Sequence, residues 1–277
     1  MMHWGIFLNK FIVTLFYMVF VSTSVAFSAE NGNPSVYEDV IKAVKNLPSE
    51  SAEFSKAPFQ IDNSNILLTL GVLGATSLTY AFDKDIQQKL QANTSRSMNK
   101  AADVGSVIGD PFVHIGIAAL VYGTAVVAES SKWREMGIMM GEALILSDAS
   151  SLILKEATGR GRPDASSGKA DFKPFGFKSG YDSFPSMHTS SSFALASILA
   201  SAEDTIALKT SYYLAAGFVA FSRVYKNKHW ASDVVFGAAL GELSGRVVTN
   251  FHTSEKKITL VPQAYESGAG LALVGIW

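Results

Sequence analysis

The chain of 277 residues contains no cysteine. This absence excludes disulfide bonds, thiolate catalysis and zinc sites with cysteine ligands. Charge is also scarce, since charged residues make up 17% of the chain and the formal net charge is −1 at pH 7. A protein that binds nucleic acid normally carries a basic stripe, so we expect no nucleic-acid partner.

Apolar residues, by contrast, are plentiful. They account for 48% of the chain, and the mean hydropathy is +0.21. This composition excludes a disordered chain and is typical of a globular or partly membrane-associated protein. A chain of this length can enclose one sizeable hydrophobic core or two smaller ones.

The N-terminus has the pattern of a secretory signal. Lys10 precedes an apolar run over residues 11–21, and a small-x-small site ends at Ser28. This pattern predicts a signal peptide over residues 1–29, cut after Ser28 or Ala29. The alternative is an uncleaved anchor helix. Either segment would export the chain.

Most apolar segments beyond the signal are too long for typical strands and therefore predict helices. They are rich in Gly, Ala, Ser and Thr, which allow close helix packing. We expect an all-α fold with a core of about six helices, over residues 66–82, 112–128, 137–154, 189–202, 208–222 and 234–248.

Smaller elements flank this helical core. A capping box and one apolar face predict a short amphipathic helix near residues 35–47, which we expect Pro48 to end. The segments ITLVPQAY and LALVGIW, on either side of ESGAG, predict a C-terminal β-hairpin. The predicted units are an N-terminal helix with its linker, the helical core and the tail, over residues 30–63, 64–250 and 251–277.

Three polar junctions between the apolar segments carry ionisable residues. They read KEATGRGRP from Lys155, PSMH from Pro185 and SRVYKNKHWASD from Ser222. Each has an ordinary structural explanation when taken alone. Basic residues are favoured at a helix C-terminus, Ser and Pro are favoured where a helix begins, and His229 with Asp233 has the spacing of a helix-surface pair.

Taken together, the junctions supply what phosphoryl transfer requires. The transferred group needs its oxygens neutralised and its attacker and leaving group held in line. Arg162 and Arg223 can each bind two oxygens, and Lys155 adds a point charge. The hydroxyl of Ser186 and backbone N–H groups such as that of Met187, at the start of a helix, can donate to the same anion.

The two histidines of these junctions predict a nucleophile and an acid. Asp233 lies one helical turn from His229, where it can orient the imidazole while the other ring nitrogen attacks phosphorus. His188 has no such acidic partner nearby in the sequence, so it is the better candidate to protonate the leaving oxygen. A metal site at the same residues is disfavoured, because the neighbouring Lys and Arg residues would repel a cation.

The three blocks, with their order and internal spacing, resemble the type 2 phosphatidic acid phosphatase (PAP2) superfamily. That superfamily includes lipid phosphate phosphatases, bacterial non-specific acid phosphatases and vanadium haloperoxidases. The resemblance covers roughly residues 60–250. It implies an all-α core and hydrolysis without metal or other cofactor, through a phosphohistidine. The implied site residues are His229 as nucleophile, His188 as acid, Asp233 as support, and Lys155, Arg162, Ser186 and Arg223 as the phosphate site.

One position departs from the family pattern. Met187 stands where the family usually has Gly. Its backbone N–H can still donate to phosphate, but Met would be strained if the position required a positive φ angle.

The sequence leaves the substrate and the location open. Export favours lipid phosphates, with soluble phosphate esters as an alternative; a vanadium-dependent haloperoxidase is a further alternative, as is a binding module without turnover. The shortness of the apolar segments favours a periplasmic domain or one bound to the outer face of the membrane, and a multi-pass membrane protein is the alternative. Glu142 is expected to make internal hydrogen bonds or face water, and His252 is assigned no role.

Overall fold

The computed structural model describes residues 34–60, 65–253, 259–265 and 268–274. The predicted signal peptide lies outside these residues. The described helices are α1 Pro34–Lys56, α2 Asn65–Ala92, α3 Arg96–Ile108, α4 Pro111–Val127, α5 Ser131–Thr158, α6 Met187–Ser201, α7 Ile206–Tyr225 and α8 Ala231–Thr253, with a 3₁₀ turn at Ala57–Phe59. The strands β1 Thr259–Tyr265 and β2 Gly268–Val274 pair antiparallel as the predicted hairpin. The all-α prediction is confirmed.

Local sequence signals account for several helix ends. Helix α4 begins at Pro111, and the side chain of Asp110 accepts a hydrogen bond from Phe112 N at 2.9 Å. Helix α5 ends at Thr158, and Gly159, which follows it, has a left-handed φ of 54°. A Cβ atom there would lie 1.9 Å from the carbonyl oxygen of Lys173, so this position requires glycine for two reasons.

Two predicted helix boundaries are wrong in an informative way. Helix α1 continues through Pro48 to Lys56. Residues beyond the proline are well packed, since Glu50 is fully buried and Phe54 packs against the core. That burial offsets the backbone hydrogen bond that proline removes. Helix α5 starts at Ser131, six residues before the predicted start at residue 137.

Helix α3 was not predicted, because the apolar residues of its sequence RSMNKAADVGSVI are interspersed with polar ones and form no long apolar run. A side-chain cap and tertiary packing stabilise it. Ser95 Oγ accepts a hydrogen bond from Met98 N, and α3 packs against α7. A Cβ on Gly105 would lie 2.8 Å from Cβ of Ser222, so the two helices approach closely.

Helix α6 is the centre of the bundle and contacts α4, α5, α7 and α8. Its approach to α8 is close enough to require glycine: a Cβ on Gly241 would lie 2.0 Å from the carbonyl oxygen of Ser190, and one on Gly245 would lie 2.4 Å from Cβ of Ser197. The main core beside it includes Met140, Leu144 and Ile198. This tight packing fixes the start of α6 relative to the start of α8.

The outer surface of the bundle is unusually apolar. Among the described residues, α2 and α5 are long and apolar enough to cross a membrane, and α3 with α4 forms a third candidate bent by 54°. Both α2 and α5 contain 28 residues, so the predicted shortness of these segments is wrong. Leu67, Leu70 and Leu78 of α2 are more than half exposed. These helices are consistent with the integral-membrane alternative, and export remains a prediction.

Candidate active site

The predicted site residues gather at one end of the bundle. Helices α5 and α7 end there, and α6 and α8 begin there, because neighbouring helices in the bundle run in opposite directions. Lys155 lies in the last turn of α5 and Arg223 in the last turn of α7. His188 lies in the first turn of α6, and His229 lies just before α8. The three sequence blocks therefore meet in space.

Three cations face this junction. The Lys155 ammonium, which is buried, donates to the backbone oxygen of Asp182. Arg162 contacts the carboxylate of Asp182 through Nη2 and Nε, each at 2.8 Å. Arg223 donates from Nη1 to Ser106 Oγ at 3.0 Å. Asp182 therefore lies among the cations that were predicted to hold a phosphate.

The ring of His229 has a defined tautomer. Its Nδ1 lies 2.6 Å from the backbone oxygen of Ser183. A carbonyl oxygen can only accept a hydrogen bond, so Nδ1 carries the proton and Nε2 keeps its lone pair. Burial, together with the charges of Lys155, Arg162 and Arg223, holds the pKa of His229 well below its usual value. The imidazole is therefore neutral, as a nucleophile must be.

Asp233 supports this arrangement indirectly. Its Oδ2 lies 3.7 Å from His229 Nδ1, beyond hydrogen-bond distance. The same oxygen accepts hydrogen bonds from Ser183 Oγ at 2.5 Å and from Trp230 N at 2.8 Å. Asp233 thus positions Ser183, and the carbonyl of Ser183 orients His229. Burial raises the pKa of Asp233, against the opposing charge of Arg160.

His188 is partly exposed and has an acidic neighbour that sequence reasoning missed. Its Nε2 lies 3.9 Å from Asp110 Oδ2, in the junction between α3 and α4. Burial, followed by the charges of Arg223, His229 and Lys155, lowers the pKa of His188 to about 2. The free site therefore holds both imidazoles neutral, and a proton on His188 requires added negative charge nearby.

Ser186 and Met187 begin α6. Ser186 is fully buried, and its backbone N–H donates to the Asp233 carbonyl at 3.1 Å. Its hydroxyl accepts from Thr189 Oγ1 at 3.0 Å. Met187 is the first helical residue and is not among the described residues with positive φ. The strain considered for a side chain at this position is therefore absent.

A buried ionic network behind the site was not predicted. The Arg160 guanidinium contacts Asp233 Oδ1 at 2.5 Å and Asp83 Oδ2 at 2.7 Å. Ser232 joins both sides, since its hydroxyl accepts from Arg160 at 2.8 Å and its backbone N–H donates to Asp83 Oδ1 at 2.9 Å. The guanidinium also lies 4.9 Å from the ring centre of Tyr80. No pattern in the sequence indicates that Asp83, on α2, contacts Arg160.

Residues 137–257 match the family model of the PAP2 superfamily. The chain is 26% identical over 181 residues to the lipid A 1-phosphatase of Porphyromonas gingivalis. That match covers 65% of this chain and 37% of the relative, so the chain spans little more than a third of its length.

Two solved structures align with parts of this chain. The crystal structure of the first transmembrane PAP2-type phosphatidylglycerolphosphate phosphatase, from Bacillus subtilis, aligns with a TM-score of 0.50 and 17% identity, over 69% of this chain and 98% of that one. The crystal structure of Aquifex aeolicus LpxE aligns with a TM-score of 0.49 and 18% identity, over 60% of this chain and 93% of that one.

Proposed function

We propose that the chain is a metal-independent phosphatase that hydrolyses lipid phosphomonoesters or diphosphates through a phosphohistidine at His229. The observation that carries this proposal is the tautomer of His229. Its Nδ1 is held by the Ser183 carbonyl, which leaves Nε2 with a lone pair beside three cations. A neutral imidazole in a field of positive charge is suited to attack a phosphate anion.

Substrate binding would use Lys155, Arg162 and Arg223. A phosphate group offers several oxygens to two guanidinium groups and an ammonium, and it would compete with Asp182 for Arg162. The N-terminus of α6 adds positive potential at the same place. These contacts fix the phosphorus atom in line with the attacking nitrogen.

In the first step, His229 Nε2 forms a bond to phosphorus, and the bond between phosphorus and the leaving oxygen breaks. His188 donates its proton to that oxygen. The hydrogen on His229 Nδ1 stays in its bond to the Ser183 carbonyl, and the Asp233 carboxylate stabilises the positive ring from 3.7 Å.

In the second step, water attacks the phosphohistidine and gives its proton to the now neutral His188. The bond between nitrogen and phosphorus breaks, inorganic phosphate leaves and His229 regains its lone pair. The depressed pKa of His188 suits this cycle. The negative charge of a bound phosphate raises that pKa, and its departure lowers the pKa again.

Two observations support a lipid as the substrate. The helices α2 and α5 have the length and composition to cross a membrane, and the leucines of α2 are exposed. In a lipid bilayer this exposed apolar surface would contact acyl chains instead of water. The relatives also include a lipid A 1-phosphatase and a phosphatidylglycerolphosphate phosphatase.

The test is phosphate release by the purified chain in detergent with a chelator present, for wild type and His229→Ala. The panel contains lipid A, phosphatidic acid, phosphatidylglycerol phosphate, undecaprenyl diphosphate and a soluble aryl phosphate. We expect turnover of a lipid substrate by the wild type and at least about a 10³-fold loss in the variant, since the variant lacks the nucleophile.

A second measurement examines the intermediate itself. Brief reaction with a substrate labelled in its phosphorus, followed by alkaline quenching, should leave label on the wild-type chain and none on His229→Ala. Turnover only of the aryl phosphate would favour a soluble-ester phosphatase. Release that survives His229→Ala would rule out the proposed mechanism.

A further inference from the structure

A second group of ionisable side chains lies at the other end of the bundle. Glu50 of α1, Glu142 of α5 and His252 of α8 each bring one ligand atom within 4.8 Å of the others. Glu50 is 0% exposed, Glu142 is 2% exposed and the side chain of His252 is 5% exposed. His252 lies 21 residues beyond the start of α8, about 30 Å from the phosphatase site at 1.5 Å per residue.

The carboxylates of this group are poorly satisfied. Neither oxygen of Glu50 has a hydrogen-bond partner, and Oε1 of Glu142 has none. His252 Nε2 lies 2.6 Å from Glu142 Oε2 and 3.6 Å from Glu50 Oε1. A single hydrogen on that nitrogen can serve only one of the two carboxylates. Buried carboxylate oxygens without hydrogen-bond partners are strongly unfavourable, and a positive ion placed between the two carboxylates would satisfy them.

The orientation of His252 indicates which kind of group this is. Its Nδ1 lies 3.3 Å from Glu135 Oε1, a carboxylate oxygen that can only accept a hydrogen bond. Nε2 faces Glu50 and Glu142, and at 2.6 Å from Glu142 Oε2 it carries a second hydrogen. A divalent cation between Nε2 and the two carboxylates would take the place of that hydrogen. A carboxylate that orients a histidine in this way is the usual outer partner of a metal-bound imidazole.

We propose that Glu50, Glu142 and His252 bind a divalent cation, with zinc as the ion best suited to one imidazole and two carboxylates. The ion would displace the Nε2 proton to solvent, bind the lone pair so released and neutralise the two buried carboxylates. With bonds of about 2.1 Å, tetrahedral ligands lie about 3.4 Å apart. The separation of 3.6 Å already fits, and Glu142 must retreat by less than 1 Å.

A fourth ligand can come from solvent. A cavity of about 220 Å³ borders the group, with His252 and Glu135 in its wall. It provides room for a bound water and a path for the ion. The three ligands come from three helices, so the ion would hold the N-terminal helix α1 against α5 and α8. Its role is structural and independent of the proposed hydrolysis.

The experiment uses the full chain in detergent, freed of any affinity tag and treated with a chelator. Zinc is added, excess ion is removed by gel filtration, and bound zinc is measured by atomic spectroscopy. Thermal unfolding is followed with and without zinc. We expect one zinc per chain, and a rise in Tm of roughly 5–10 °C when free zinc exceeds its Kd about 100-fold.

Four variants locate the ion. Glu50→Gln and His252→Gln should lose the bound zinc and most of the rise in Tm. Glu50→Gln keeps the shape of the side chain and removes a buried charge, so it is expected to fold. Glu53→Gln, on the exposed side of the same helix, should behave as wild type. His229→Ala should also retain zinc, which separates this site from the phosphatase site.

Three results would overturn the proposal: no zinc retained by the wild-type chain, equal retention by Glu50→Gln, or loss of zinc in His229→Ala. The first would mean that a hydrogen on Nε2, rather than a metal ion, joins His252 to the two carboxylates. The outcome is independent of phosphatase activity, so failure of the proposed hydrolysis would leave this test unaffected.

Discussion

The backbone oxygen of Ser183 lies 2.6 Å from Nδ1 of His229, whereas the carboxylate of Asp233 lies 3.7 Å from the same atom. The carbonyl therefore sets the tautomer. The Asp233 carboxylate accepts a hydrogen bond from the hydroxyl of Ser183 and so positions the residue that provides this carbonyl. It also places a negative charge near the imidazole ring. The spacing in the sequence suggests a direct hydrogen bond between His229 and Asp233. In the structure the two residues are instead connected through Ser183, in the loop before α6.

This connection through Ser183 predicts a graded response to substitution. Asp233→Asn should lower kcat about 10²-fold with little change in KM, because the carbonyl still holds the tautomer; loss of a directly bonded carboxylate costs about 10⁴-fold elsewhere. Ser183→Ala keeps the carbonyl and should cost no more than about 10-fold, since one hydrogen bond is removed. A loss near 10⁴-fold in Asp233→Asn would show that the carboxylate bonds His229 directly during turnover.

The acid role proposed for His188 predicts that the effect of its loss depends on the leaving group. His188→Asn should barely slow hydrolysis of p-nitrophenyl phosphate, whose leaving oxygen needs little protonation. Hydrolysis of an alkyl or lipid phosphate should fall by about 10²–10⁴-fold, the usual contribution of a general acid. The measurement is kcat/KM for both substrates in both proteins. Equal losses on the two substrates would contradict the assignment.

The two depressed histidine pKa values predict an acid optimum. With the pKa of His188 at about 2 and that of His229 well below 6.5, both rings of the free chain are neutral at pH 5–7. The proton for the leaving group must then arrive on the substrate, whose monoanion loses it near pH 6. We expect kcat/KM to fall about tenfold per pH unit above that value.

The control for this pH dependence varies the substrate. Phosphate esters differ in the pKa at which their monoanion loses its proton. For each ester, the pH at which kcat/KM begins to fall should match that pKa. At the acid end, activity should decline only where His229 becomes protonated, which its lowered pKa places well below pH 6.5. A break near pH 6.5 that stays the same for every ester would mean that an ordinary histidine sets the profile.

The buried network predicts a large effect on stability. Arg160→Met leaves Asp83 and Asp233 buried without their cation, and breaking such a pair typically costs about 3–5 kcal/mol. The Tm should fall by roughly 10 °C or more. The matched control is Arg246→Met, which breaks an exposed pair with Glu242 and should cost under about 1 kcal/mol. Similar shifts in both variants would contradict the buried network.

The absence of cysteine makes the membrane setting directly testable. Leu70→Cys places a thiol on the exposed apolar face of α2, and Glu53→Cys places one on the exposed face of α1. In intact membranes, a water-soluble maleimide should label Glu53→Cys quickly and Leu70→Cys slowly, because thiols in lipid stay protonated and inaccessible. Both should react once the protein is dissolved in denaturant. Rapid labelling of Leu70→Cys in membranes would mean that α2 faces water.

Much of the fold followed from pattern alone. The long apolar segments predicted an all-α bundle, and the three polar junctions identified the ends of α5, α6, α7 and α8 at which the cations and histidines lie. The misses have local causes. The helix α3 has no long apolar run, and α1 continues past Pro48 because Phe54 is packed against the core.

The sequence by itself determined which ionisable residues lie at the three polar junctions, because the residues of each short block are close together along the chain. Tertiary structure decided what each residue contacts. Ser183 orients His229, Asp110 faces His188, and Arg160 joins Asp83 to Asp233 across 77 and 73 residues. Glu50, Glu142 and His252 come together in the same way from three helices. Such contacts depend on how the helices pack, and local spacing does not encode that packing.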